Sequence, residues 1–265
     1  MWIDSHCHVT ADPFGADRDA VLARAWEAGV EALICIGAGY GIEGNAAAVE
    51  LAGRDPRVFA TAGVHPHDAK LLDDTGRRRL REWLAEPRVV AVGECGLDYH
   101  YLNSPRDAQR AVLAEQLALA RELRLPVSLH VRDDGPRAYD ELLEIWRSET
   151  CAEVPGVLHC YTHDLAFATR ALDENLLVSF SGIVTFKNTK TLREVARALP
   201  LDRILVETDA PFLVPEGRRG QRNEPAWVAL VGEAIARLRG IGVEALAHAT
   251  TGNARRFYRL PAEGA

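Results

Sequence analysis

Val89-Val90-Ala91-Val92-Gly93-Glu94 runs five apolar or small residues straight into a carboxylate, and Cys95-Gly96-Leu97-Asp98 follows at once. A run so short and so continuously apolar suits a parallel strand buried on both faces. A carboxylate at its downstream end is costly to bury unless something pairs with it. The flanking glycines, Gly93 and Gly96, permit tight backbone turns and the close approach of other groups.

Outward from this stretch the same figure repeats. Strand-like runs cover Trp2–Cys7, Ala32–Ile36, Phe59–Val64, Val89–Gly93, Val127–His130, Val157–Cys160, Leu177–Phe180 and Ile204–Glu207. Helical periodicity fills the intervals, near 17–28, 43–52, 75–84, 136–146, 165–173, 191–198, 224–238 and 243–257. The clearest helix opens at Ser104-Pro105, a cap candidate followed by proline at the first helical position. Val112, Leu113, Gln116, Leu117, Ala120 and Leu123 then share one stripe. Eight strands alternating with helices over 265 residues predict one (β/α)8 TIM barrel spanning 1–265. An open doubly wound sheet would place its crevice at a single switch point. Here polar clusters follow the first, third, fourth, fifth, sixth and eighth strands, which a closed barrel gathers on one rim.

Composition sets the class. Apolar content of 48% with 26% charged residues is that of a soluble globular chain with a full core. No run approaches the roughly 20 apolar residues of a membrane helix. The N-terminus enters a strand without a signal-like region, so the expected location is cytoplasmic. Five scattered cysteines make no disulfide framework. Cys7, Cys95 and Cys160 alternate with polar neighbours and should face away from them. A net charge of −7 argues against a broad duplex-gripping surface and favours short, terminal or single-stranded pieces if the substrate is nucleic acid.

Six residues stand out as metal ligands: His6, His8, Glu94, His130, His159 and Asp209. His6 and His8, two apart on an extended strand, point the same way and can share an ion. Alone the pair is a weak signal, and His130 or His159 taken alone reads first as a core histidine; two of them in register with the other sites favour the ligand reading. Glu94 is the candidate bridge because a carboxylate offers two oxygens; a buried ion pair with arginine is its other reading. Asp209 can join His6 and His8 where the eighth strand returns to the first, and can accept a proton from a water; otherwise it is a turn residue ahead of Pro211. His65 on the same rim is assigned to substrate contact, with packing against Pro66 as the alternative. Asp4 could orient a histidine ring, and Asp98 is read as a loop-stabilising residue. Arg218, Arg219 and Arg222 precede a helix start, and Arg219 and Arg222 are the candidates for phosphate contact. His67, His100 and His163 are expected to face solvent. The stretch 215–223 reads as a mobile loop.

Together these clusters resemble the TatD family of metal-dependent deoxyribonucleases, within the amidohydrolase-like barrels. The matching pieces run in family order: DSHCH at 4–8, GVHPH at 63–67, GECGLDYH at 93–100, LPVSLHVRD at 125–133, HCY at 159–161, FSGIVTFKN at 180–188, ETDAPFL at 207–213, RNEP at 222–225 and GNARRFY at 252–258. The resemblance implies two divalent ions, with Glu94 bridging, His6, His8 and Asp209 serving one ion, and His130 and His159 the other. It implies hydrolysis of DNA phosphodiester bonds, exonuclease-like, with catalytic roles for Asp209, Glu94 and His65. The ions implied are Zn, Mn, Ni or Mg: imidazoles suit the transition metals, while the family is commonly described as Mg-dependent. The expected partner is a DNA substrate, met by a monomer without a membrane. Related barrels also hydrolyse other esters and amides, including the ester of mischarged transfer RNA, so that reading stands as the alternative. A metal-stabilised scaffold is the non-enzyme reading. Thr162-His163-Asp164 replaces the Ser-Gly pair common after HCY in the family.

Overall fold

The computed structural model describes residues 1–150 and 153–261. In chain order the elements are β1 (Trp2–Cys7), α1 (Arg18–Glu27), β2 (Val30–Ile36), α2 (Gly44–Arg54), β3 (Val58–Ala62), α3 (Asp74–Leu84), β4 (Val89–Asp98), α4 (Arg106–Leu123), β5 (Val127–Arg132), α5 (Arg137–Thr150), β6 (Gly156–Leu158), α6 (Leu165–Asp173), β7 (Leu176–Phe180), α7 (Lys190–Ala198), β8 (Ile204–Val206), α8 (Val228–Arg239) and α9 (Val243–Tyr258). The strands form one sheet in the order β1 to β8, with parallel pairing. After β8 the chain returns to β1: Asp209 N–H donates to the His6 carbonyl at 2.9 Å and His8 N–H to that of Ala210 at 2.7 Å. A sequential parallel sheet whose last segment bonds to its first strand is a (β/α)8 barrel. Among the described residues no helix is long and apolar enough to cross a membrane.

The chain packs as two compact units. The first holds residues 1–35, 159–172 and those from 177 on. Its core includes Ile3, Leu33, Val206, Ile235 and Phe257, all buried. The Tyr258 hydroxyl on α9 donates to the Ser5 carbonyl at 3.0 Å, and Ser5 Oγ donates to the Val206 carbonyl at 2.9 Å. These bonds hold β1 beside β8 and the helix that closes the chain.

The second unit holds residues 36–158 and 173–176. Leu97, Leu113, Leu117, Leu129 and Trp146 are fully buried in it. The predicted α4 stripe is present, but Gln116 sits on it for a polar reason. Its amide accepts from Val64 N–H at 2.8 Å and donates to the Val64 carbonyl at 3.1 Å. Gln109, about two turns earlier, does the same for Asp98, accepting from its N–H at 2.7 Å and donating to its carbonyl at 3.0 Å. On α2, Asn45 accepts from Gly63 N–H and donates to its carbonyl, both at 2.9 Å. Three buried amides thus satisfy backbone groups just past the end of β3, ahead of His65, and at the end of β4, four residues past Glu94. Replacing Gln116 with Leu strands a buried N–H and carbonyl, so Gln116→Leu is expected to cost about 2–4 kcal/mol in urea unfolding.

Ser104 is not the cap of α4. Pro105 holds the N-cap position, and the Ser104 hydroxyl donates to the His67 carbonyl at 2.7 Å while accepting from Lys70 N–H at 3.1 Å. Its bonds go to the short 3-10 turn Pro66–Leu71 instead. β4 runs to Asp98, five residues beyond its expected end at Gly93, because its partner β5 continues alongside to Arg132.

Candidate metal centre

In the first unit, His6 near the end of β1 and His8 just past it share one face, as the alternation of an extended backbone requires. Their Nε2 atoms are 3.3 Å apart. Asp209 Oδ1 lies 3.6 Å from His6 Nε2 and 3.5 Å from His8 Nε2. Ligand atoms about 2.0–2.1 Å from one tetrahedral ion stand about 3.4 Å from each other. The three separations are therefore those of a divalent site, in donor type and in spacing. Asp209 reaches this point from a left-handed backbone, φ 54°, held by its own bond to His6. Burial pushes its carboxyl up, but the hydrogen bond from His8 and the nearby imidazoles of His6 and His159 win, holding it below its ordinary range. His159 stacks on His6 with ring centroids 3.9 Å apart.

A carboxylate stands behind one of these rings. Glu207, fully buried, lies 3.4 Å from His159 Nδ1 and accepts from Cys160 N–H at 2.7 Å. A proton on Nδ1 directed at Glu207 leaves Nε2 with its lone pair for an ion. Asp4 serves the backbone rather than a ring: it accepts from Thr208 N–H at 2.9 Å, from the Thr208 hydroxyl at 2.5 Å and from His6 N–H at 3.3 Å. Burial raises its carboxyl to about 8 against the pull of those bonds.

In the second unit, His65, Glu94 and His130 bring one ligand atom each within 4.8 Å of one another. Glu94 Oε1 is 2.8 Å from His130 Nδ1 and 3.4 Å from His65 Nε2. His130 Nε2 is 3.1 Å from Asp98 Oδ2, and the same oxygen is 3.0 Å from His67 Nε2. Burial raises the Asp98 carboxyl, but hydrogen bonds from His130, His67 and Tyr101 N–H drive it well below the usual carboxylate range. Asp98 is thus more than a loop residue, since it orients His130. His65 Nδ1 accepts from His67 N–H at 3.1 Å. Burial, opposed by Glu94, lowers His65 to about 4, so the ring is neutral near pH 7 with its proton on Nε2. That tautomer makes His65 a donor toward Glu94.

Gly96 shows why this strand carries glycine. Its φ is +151°, and a Cβ there would fall 1.8 Å from the His130 carbonyl oxygen. The neighbouring β5 backbone passes through the space a side chain would fill, which sets His130 beside Glu94.

The other predicted residues are placed as follows. Arg222 donates to the Pro13 carbonyl, lies 2.7 Å from Asp17 Oδ2 and covers the Phe14 ring at 4.4 Å. Its guanidinium ties the loop down rather than standing open to a phosphate. Arg219 is exposed, 3.2 Å from Glu216 and over the Phe186 ring at 5.6 Å. The stretch 215–223 is anchored at both ends: Glu216 N–H donates to Thr185 Oγ1, and Asn223 Nδ2 to the Thr208 and Phe212 carbonyls. His67 does not face solvent freely but shares Asp98 with His130; His100 pairs with Asp134 at 2.7 Å and His163 with Asp164 at 3.2 Å. Asp164 caps α6 by accepting from Phe167 N–H at 2.8 Å, which gives the variant Thr162-His163-Asp164 a structural role. Cys7, Cys95 and Cys160 have their sulfurs toward Ile34, Ser128 and Ser181 respectively.

Sequence reading passed over Glu207, although an acid closing the run Ile204-Leu205-Val206 carries the same signal as Glu94. Removing its charge should loosen His159: Glu207→Gln is expected to weaken metal binding about 10- to 100-fold by calorimetric titration.

The family model for TatD-related DNases matches residues 3–259. The metal-dependent hydrolase YcfH of Escherichia coli K12, itself described as uncharacterized, is 40% identical over 263 residues, covering 98% of this chain and 96% of its own. The 3′-5′ ssDNA/RNA exonuclease TatD of Cronobacter sakazakii is 37% identical over 261 residues, covering 96% of this chain and 97% of its own. The crystal structure of YjjV, a TatD homolog from Escherichia coli K12, matches with a TM-score of 0.90 at 32% identity over 98% of both chains. With the family pattern running nearly end to end and the donor clusters at its strand ends, this chain belongs to the TatD-related DNase family.

Proposed function

We propose that this hydrolase is a dinuclear-metal phosphodiesterase that removes nucleotides from the 3′ ends of short or single-stranded DNA. The observation that carries the reading is the spacing of His6, His8 and Asp209, three donors at the mutual distances of one ion's ligands. The 3′ polarity and the single-stranded preference rest on the relative named as a 3′-5′ ssDNA/RNA exonuclease.

His6, His8 and Asp209 would hold one ion and His130 and His159 the other, with Glu94 serving both. When bound, divalent ions of this kind acidify a water and neutralise charge on the phosphate oxygens. The chain's own residues do the rest. Asp209, kept ionised, takes the proton of the attacking water. His65 donates from Nε2 to a non-bridging phosphate oxygen, since its Nδ1 is committed to His67 N–H. Asp98 and Glu207 hold His130 and His159 in register. Arg219 contacts the substrate backbone, and Arg222 positions that loop. Four imidazoles and two carboxylates suit Zn, Mn or Ni by ligand softness, and Mg when waters complete the shell. The enzyme is further proposed to be a cytoplasmic monomer formed as one domain.

The test is metal analysis of the purified protein coupled to product mapping on 3′- and 5′-labelled oligonucleotides. Metal-dependent release of mononucleotides from the 3′ end supports the proposal. Inertness toward every oligonucleotide, with turnover of an aminoacyl ester or a cyclic amide, would replace it.

A further inference from the structure

Two residues beyond His130, Arg132 ends β5 with its guanidinium 4.8 Å over the ring of Tyr101. Arg132 is exposed and has no carboxylate partner among the described residues. The acids around it are committed elsewhere. Asp98 serves His130, His67 and Tyr101 N–H; Asp133 accepts from Gly135 and Ala138 N–H; Asp134 pairs with His100. Many other guanidiniums in this acidic chain face carboxylates, among them Arg24, Arg77, Arg81 and Arg147.

Tyr101 is 54% exposed, unusual for a large aromatic, yet it is not on a loose loop. Its N–H donates to Asp98 Oδ1 at 2.8 Å. His67 and His100 pack edge-on against the ring, centroids at 5.7 and 4.6 Å. His67 in turn packs on His65 at 4.4 Å. The ring is therefore one imidazole away from the His65–Glu94–His130 group and mounted on the carboxylate that orients His130.

We propose that Arg132 and Tyr101 form a nucleotide subsite beside the metal centre, in which Tyr101 stacks an unpaired base and Arg132 binds the adjoining phosphate. The inference rests on the phosphodiesterase reading and deepens it. A planar ring with an open surface accepts any base that is free of a duplex, and a guanidinium without a counter-ion offers a fork for phosphate oxygens. A terminal base in a blunt duplex must first unpair and unstack from its neighbour to enter, which costs free energy, so the subsite favours single strands without a basic groove.

The experiment uses the metal-loaded protein and its variants Arg132→Ala, Arg132→Lys and Tyr101→Leu. Cleavage of a single-stranded oligonucleotide is measured beside three controls: a blunt duplex, a strand with an abasic 3′ end, and binding of a phosphorothioate strand that resists cleavage. Arg132→Ala and Tyr101→Leu are each expected to raise KM and the phosphorothioate Kd by about tenfold or more, leaving kcat within about twofold. Arg132→Lys should recover binding only in part, because the fork is lost. The abasic end should raise the wild-type KM and leave that of Tyr101→Leu unchanged, and selectivity for single strand over duplex should fall in that variant. Unchanged KM and Kd in both variants, with wild-type cleavage intact, would overturn the subsite alone. Tight, Arg132-dependent binding without any cleavage would uphold the subsite and sink the phosphodiesterase reading. Neither binding nor cleavage by the wild type would end both.

Discussion

Glu94→Gln and Asp209→Asn are expected to abolish turnover while the protein remains folded. Glu94 lies beside two imidazoles at 2.8 and 3.4 Å, and its amide would present a neutral oxygen or a competing N–H where a charged ligand belongs. Loss of several kcal/mol of transition-state stabilisation from a metal centre corresponds to about a thousandfold or more in kcat. Asp209→Asn removes a ligand and a proton acceptor together, and loss of general-base help alone is worth about 10²–10⁴-fold. Neither change alters volume much, and the cooperative fold should persist. The imidazoles that hold Asp209 below its ordinary range stabilise its charge in the folded chain, so Asp209→Asn should melt somewhat below the parent while still unfolding cooperatively. Steady-state kinetics on labelled oligonucleotide, with circular dichroism melts and metal content on the same samples, checks both halves. Full activity in either variant removes that residue from the mechanism.

Gly96→Ala should do the reverse, destroying the fold before any chemistry is tested. The added Cβ would meet the His130 carbonyl oxygen at 1.8 Å, an atom of the β5 backbone that cannot swing aside as a side chain would. A φ of +151° adds a conformation that L residues rarely adopt. Together these place the variant in the exceptional class of about 4 kcal/mol or more. At about 2–4 °C per kcal/mol for a chain approaching this size, that is a fall of roughly 10 °C or loss of soluble protein. Gly29→Ala is the matched control: it also has positive φ, +83°, but nothing lies within 4 Å of its Cβ. Its cost should be only about 1–2 kcal/mol. Equal melting temperatures for the two variants would show that the β4–β5 approach does not matter.

Much of the architecture was legible because apolar runs and helical stripes are local signals. β1 and α6 fall where periodicity places them, Trp2–Cys7 and Leu165–Asp173. Less legible were residues whose role depends on a partner far along the chain. Gln116 reads as part of an apolar stripe, yet it is buried because its amide completes the end of β3 across 52 positions. Arg222 reads as a phosphate fork, yet it is held by Asp17 across 205 positions. Asp98 reads as a turn residue until β5 brings His130 against it.

By itself the sequence determined the barrel, through eight buried runs alternating with amphipathic helices, and it determined the donor types at their ends. Side-chain alternation on an extended strand already committed His6 and His8 to one face. Only the tertiary structure decided which groups stand behind the donors: Glu207 at His159 and Asp98 at His130. It also left Arg132 over Tyr101 without an acidic partner. The physical reason is range. Apolar burial follows a residue's own neighbours in sequence, whereas a proton's position depends on distances of a few ångströms that exist only once separate strands lie side by side.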